Sequence, residues 1–140
     1  MNVRCKECEK ENPNKYSTMK PKLFWQLLTD KATEPREVFD DIYPVYEIFA
    51  AYDYVLDPDD GDDIATDLIV SVPDIYNPML YSVGSGAGGT FLIENNSLTS
   101  DRELYVEVWN PTNEAVHIKS KQKIARITLE PQRRELTQIN

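Results

Sequence analysis

From Tyr43 to Leu129 the chain is a succession of short segments rich in Val, Ile, Tyr and Phe, each soon closed by Pro, Gly, Asn or Asp. Tyr43 to Leu56 runs into Asp57-Pro58-Asp59-Asp60-Gly61-Asp62-Asp63, and Ile64 to Val72 into Pro73-Asp74. Met79 to Val83 meets Gly84-Ser85-Gly86-Ala87-Gly88-Gly89, and Thr90 to Ile93 meets Asn95-Asn96-Ser97. In Leu104-Tyr105-Val106-Glu107-Val108-Trp109 every second residue turns to the same side of an extended chain, the mark of a half-buried strand. Ala115 to Ile118 and Ile124 to Leu129 follow, separated by further turn residues. Short strands at roughly 8–12-residue spacing predict an all-β domain, built as an antiparallel sandwich, jelly roll or barrel.

Outside that run the pattern changes. Residues 1–22 are charged and polar with few hydrophobics, and read as a flexible tail. Leu23 to Leu28 fits either a buried strand or a helical turn, because a short apolar run has no diagnostic period. Pro35 to Phe39 fits a short helix with Pro in its first turn, or a loop. With 41% hydrophobic residues, the 140-residue chain is large enough for one domain with a real core. Its net charge of −9 repels phosphate backbones, so nucleic acid is disfavoured as a general partner.

Cys5 and Cys8 form one CxxC, and with His117 as the single histidine the chain cannot complete a four-ligand zinc site. The two thiols read as reduced surface groups. No apolar run is long enough to span a bilayer, and the charged N-terminus is no secretory signal. A soluble, intracellular protein without a cofactor is expected.

A resemblance joins these pieces. Trp109-Asn110, a hairpin, and then Lys123 to Glu130 resemble a segment of the dUTPase family in which a strand ends in Asn and G-D-R-I-A-Q opens the next. Leu28 to Pro35 resembles the family's opening L-S-x-x-A-x-x-P, and Ala51-Tyr52-Asp53-Tyr54 the stretch after its first motif. Asp57-Pro58 and Thr66 to Pro73 are similar to I-P-P and T-x-I-x-I-x-x-P at the same spacing. The resemblance covers about residues 23–130. It implies a jelly-roll β-barrel and a homotrimer with active sites shared between subunits, with 131–140 a short C-terminal tail.

The resemblance also implies where a site would lie. Family members hold a triphosphate with Mg²⁺ and polar side chains, activate a water with an Asp, and close a Gly-rich arm over the nucleotide. The first motif, A-G-x-D-L, falls on Pro44 to Ile48, with Glu47 at the acid. The second, P-R-S, falls on Ser82-Val83-Gly84, with Ser85 one position later. The third falls on Ser97 to Ser100, with Ser100 at the catalytic acid and Asp101 reached by a slide of one. In the fourth, Arg126 stands where a Gln contacts phosphate, and Pro131 to Asn140 has no glycine-rich arm. So many substitutions at motif positions, with the apolar strand positions kept, lead to the expectation of a pseudoenzyme.

The expected role is then a non-catalytic protein–protein interaction or scaffold module. Tyr43, Tyr46, Tyr52 and Glu47 are its candidate contact residues, because aromatics crowd this stretch and interface anchors are enriched in them. The partner is a protein of unknown identity, and the chain itself is expected to be a trimer or another small oligomer. The alternatives are a Mg²⁺-dependent nucleotide phosphohydrolase using Glu47 and Asp101, or a nucleotide-binding sensor. The Asp57–Asp63 cluster misses the spacing of a Ca²⁺ loop by one residue and reads as a solvated turn. Gly84–Gly89 precedes a strand rather than a helix, so it reads as a loop and not a phosphate cradle. His117 is expected to face away from Val116 and Ile118.

Overall fold

The computed structural model describes residues 23–38, 44–83 and 90–131. The readings made for residues 1–22, for Tyr43, for Gly84–Gly89 and for nearly all of 131–140 lie outside the described residues. Among the described residues ten strands follow one another: β1 (Phe24–Leu27), β2 (Arg36–Val38), β3 (Val45–Phe49), β4 (Tyr54–Leu56), β5 (Gly61–Ser71), β6 (Tyr76–Ser82), β7 (Leu92–Ile93), β8 (Arg102–Trp109), β9 (Val116–Ile118) and β10 (Lys123–Pro131). The two segments left open by periodicity are both extended: Phe24–Leu27 is strand rather than helical turn, and Arg36–Val38 is strand rather than helix or loop. Among the described residues no helix is long and apolar enough to cross a membrane.

All pairings between the strands are antiparallel. One sheet has the order β1-β5-β8-β7, a second β2-β3-β10-β6, and a two-stranded ribbon joins β4 to β9. Alternation decides which side chains enter the core. In β8, Leu104, Val106 and Val108 are buried while Glu103 and Tyr105 face out. In β10, Ile127 and Leu129 are buried while Arg126, Thr128 and Glu130 are partly exposed. Ile48, Ile64, Leu80, Phe91, Val106, Ile124 and Ile127 are among the side chains that fill the core. His117 faces outward between buried Val116 and Ile118, as alternation predicts.

Among the buried polar residues, Asn110 and Asp67 tie separate segments together. Asn110 Nδ2 donates to the carbonyls of Leu56, Asp57 and Glu114, while its Oδ1 accepts from the Thr112 amide and hydroxyl. It thereby ties the end of β8 to the turn after β4 and to the turn before β9. Asp67 lies where the β5–β8 register shifts between Ala65 and Ile69, with φ of 56°. Asp tolerates this left-handed conformation better than most residues. Its Oδ2 accepts hydroxyl protons from Thr29 and Tyr52, both at 2.6 Å, so one carboxylate fastens two loops to β5.

The aspartate-rich turn is shorter than the cluster. Asp57 to Asp60 form the turn, with Asp59 at φ of 61°, and Gly61 already belongs to β5. Gly61 pairs with Trp109 so closely that a Cβ there would lie 2.9 Å from the Val108 carbonyl oxygen. Among the described residues no three His, Cys, Asp or Glu side chains gather as metal ligands.

Candidate functional site

Two features of the surface carry chemistry, and β6 runs between them. The first is a concavity of about 200 Å³ lined by Asn95, Ser97, Leu98, Thr99, Glu103, Tyr105, Glu107 and their neighbours. It forms because β8 turns Glu103, Tyr105 and Glu107 outward and the segment before it folds back alongside. Asn95 donates through Nδ2 to Glu107 at 3.1 Å and accepts from the Ser97 amide and hydroxyl, which shapes that wall. Tyr105 is about half exposed, and its hydrogen bond to Glu103 raises its phenol above the ordinary range.

The second feature is a row of side chains across the other sheet. Arg36 on β2 pairs with Glu47 on β3, Glu47 with Arg126 on β10, and Arg126 with Tyr81 on β6. Residues paired across a ladder share a face. Arg36 donates to Glu47 Oε1 through Nε at 2.8 Å and also through Nη2. Lys123 Nζ holds the other oxygen, Oε2, at 2.9 Å. Burial pushes the Glu47 carboxyl up, but the hydrogen bonds and charges of Lys123 and Arg36 prevail and hold it below the usual carboxylate range. The Arg126 Nε is buried and has no hydrogen-bond partner.

β6 connects the two. It pairs with β10 on one side, and on the other Met79 bridges to Ser97 while Leu80 exchanges hydrogen bonds with Asn96. The cationic row and the concavity are therefore separated by a single strand and its bordering segment.

The candidate contact residues fare differently from one another. Tyr46 was named as a candidate contact residue, and this is corrected: it is buried, and its hydroxyl accepts the Leu23 amide. The reason is parity, since Tyr46 shares the core face of β3 with Ile48. Glu47 is also buried, its side chain only 4% exposed and both oxygens engaged, so it offers no free carboxylate to a partner. Tyr52 is 40% exposed, with its hydroxyl committed to Asp67. Tyr43 lies outside the described residues.

At the third motif, Ser100 accepts the Val72 amide and Asp101 accepts the Ser71 hydroxyl at 2.6 Å. Asp101 sits in the turn before β8 with φ of 67°, in the sheet opposite Glu47, so these two acids do not meet as a pair within the chain. Sequence reasoning missed Glu103, Tyr105 and Glu107. The alternation of β8 was the signal that could have found them, because it sets all three on one outward face.

These residues do not fit a resident Mg²⁺. Among the described residues no three potential ligands gather, and both oxygens of Glu47 already hold cations. Mg²⁺ typically binds through one or two carboxylates together with substrate phosphates.

The dUTPase family model matches residues 44–140, about two thirds of the sequence. The chain belongs to the dUTPase family. The match begins after Leu28–Pro35, whose likeness to the family's opening it leaves unsupported, and it continues through residues 131–140. None of the curated proteins matches the sequence. Solved structures do. A variant of the Staphylococcus bacteriophage 80alpha dUTPase with dUpNHpp is 22% identical with a TM-score of 0.69, covering 80% of this chain and 83% of that one. The dUTPase of phage phi11 of S. aureus is 23% identical with a TM-score of 0.68, covering 80% and 91%. At such identities the likeness is one of fold, and the fold is the dUTPase jelly-roll β-barrel.

These matches correct the expectation of a pseudoenzyme. The family model's match over residues 44–140 spans the segments whose motif residues had been judged lost, and the 80alpha dUTPase variant that shares the fold is described with dUpNHpp. A motif letter records one side chain at one position, whereas a site is assembled from groups delivered by several strands. Replaced letters therefore do not establish inactivity.

Proposed function

We propose that this dUTPase-family chain is a nucleoside triphosphate phosphohydrolase, with dUTP as the substrate to test first. The observation that carries the reading is the family match over residues 44–140, which encloses the concavity between Asn95 and Glu107. At about 200 Å³ the concavity is smaller than pockets for drug-sized ligands and suits a nucleobase, with the sugar and phosphates leaving across its rim. Tyr105 supplies an aromatic surface for the base, and the side chains of Asn95, Ser97 and Thr99 supply polar contacts. Asp101, in the turn just before β8, is the carboxylate we assign to activating water.

In the reaction, that water's oxygen bonds to the α-phosphorus while the bond to the bridging oxygen of the pyrophosphate breaks. The water's proton passes to the carboxylate, and the products are the nucleoside monophosphate and pyrophosphate. The test incubates the protein with each deoxynucleoside triphosphate and Mg²⁺ and separates the products by ion exchange. The expected result is conversion of dUTP to dUMP, slowed on the order of 10²-fold or more in Asp101→Asn. Folded protein that releases no pyrophosphate above buffer from any of these substrates would falsify the reading.

Self-association belongs to the same proposal. Phe24, Trp25, Leu27 and Leu28 are exposed along β1, which has a single partner strand among the described residues. Contiguous exposed apolar side chains of this kind mark contact surfaces.

A further inference from the structure

We propose that Ser71 is a positioning residue for the reaction, its hydroxyl holding the Asp101 carboxylate so that one oxygen stays turned toward the attacking water. This rests on the phosphohydrolase reading, in which Asp101 activates that water, and adds what keeps the carboxylate in place.

Asp101 needs such a hold. It is exposed, it lies in the turn before β8, and its φ of 67° is in the left-handed region. An exposed side chain in a turn ordinarily exchanges among its rotamers. A general base must instead stay within hydrogen-bond reach of the proton it takes. A misplacement of about 1 Å can cost on the order of 10²-fold in rate.

The end of β5 supplies the hold through Val70, Ser71 and Val72. The Val70 carbonyl accepts the Asp101 amide at 2.7 Å, and the Val72 amide donates to the Ser100 hydroxyl at 2.8 Å. These two bonds fasten the turn to the strand, but neither touches the carboxylate. Between them, Ser71 donates its hydroxyl to Asp101 Oδ1 at 2.6 Å, the short separation of a charge-assisted bond. With Oδ1 tied to β5, Oδ2 is the oxygen left to take the water's proton.

The surroundings fit the assignment. Thr99 and Arg102, which flank Ser100 and Asp101, both line the concavity assigned to the base. Val70 pairs with Arg102 across the β5–β8 ladder, so one register sets both Ser71 and the rim of that concavity. In the likeness of Thr66 to Pro73 to T-x-I-x-I-x-x-P, Ser71 falls on an unspecified position. Its hydroxyl is therefore this chain's own addition to the pattern. Ser71 is partly exposed and Asp101 exposed, so water can reach both groups when the bond is removed, and the fold loses little.

The experiment measures kcat and KM for dUTP with Mg²⁺ in the full chain, in Ser71→Ala, Ser71→Thr and Asp101→Asn, and in the double variant Ser71→Ala/Asp101→Asn. Melting curves check that each is folded. Ser71→Ala is expected to lower kcat roughly 10-fold with KM changed less than about twofold. Ser71→Thr keeps the hydroxyl and should retain most of the rate. The double variant should be no slower than Asp101→Asn alone, because Ser71 acts only through the carboxylate. If Ser71→Ala does not fold, Ser71→Cys, close in size and only a weak donor, must show the same fall in kcat. Full kcat in the folded variant that lacks the hydroxyl overturns the inference and leaves the phosphohydrolase reading standing. So does a rise in KM at unchanged kcat, or the same fractional loss with and without Asp101, which would mark Ser71 as merely structural. Absence of turnover in the unaltered chain overturns both readings.

Discussion

Glu47 shows how one residue's position can be legible while its condition is not. The resemblance placed it at the acid of the first motif, but its burial and its two cationic partners come from strands 11 and 76 residues away in sequence. Its carboxyl is held below the ordinary value of 4.5, so its contribution to stability is present above that value and is lost as pH falls through the lower folded-state value. Glu47→Gln is therefore expected to cost about 1–3 kcal/mol at neutral pH. The difference from the unaltered chain should shrink as pH falls below the ordinary carboxylate range. Urea unfolding at a series of pH values measures this, and a difference that grows toward acid would refute the assigned ion pairs. Asp67 was legible only as a letter in a strand. Its bulge, its positive φ and its two hydroxyl donors depend on Thr29 and Tyr52 arriving from other loops.

At the level of elements, strand interiors were readable wherever burial on one face imposed a period of two. The β8 and β9 patterns agree with their sequences residue by residue. Short segments were not readable, because three or four residues cannot establish a period, and β1 and β2 took their conformation from pairing with β5 and β3. The joints between elements give two predictions. Asn110→Ala removes the donor to three carbonyls, two of them beside the β4 turn, and is expected to cost about 2–3 kcal/mol in denaturant unfolding. A loss under 0.5 kcal/mol would mean that water replaces the amide without penalty. Gly61→Ala pushes a methyl against the Val108 carbonyl, and should cost about 1–3 kcal/mol as the start of β5 shifts from β8. The effect should appear as faster amide exchange in the β5–β8 ladder, and unchanged protection there would show that the approach is not constrained.

For the whole molecule, the exposed apolar residues of β1 and the trimer implied by the family resemblance lead to the expectation of a homotrimer, about three times the 16.1 kDa chain mass. Light scattering at micromolar concentration tests this. A monomer at every concentration would refute it, whereas a trimer that dissociates in Trp25→Asp would place β1 in the contact. The sequence by itself determined the all-β class, the order of the strands through most of the chain and the family resemblance, because these depend on local alternation and on turn residues at fixed spacing. Only the tertiary structure decided that Tyr46 is core, that Glu47 is already paired, that Arg126 has an unpartnered buried nitrogen, and that Glu103, Tyr105 and Glu107 line one concavity. Each of those facts depends on which strands lie side by side, and ladder register between distant segments is set by the packing of the whole core rather than by any one stretch of residues.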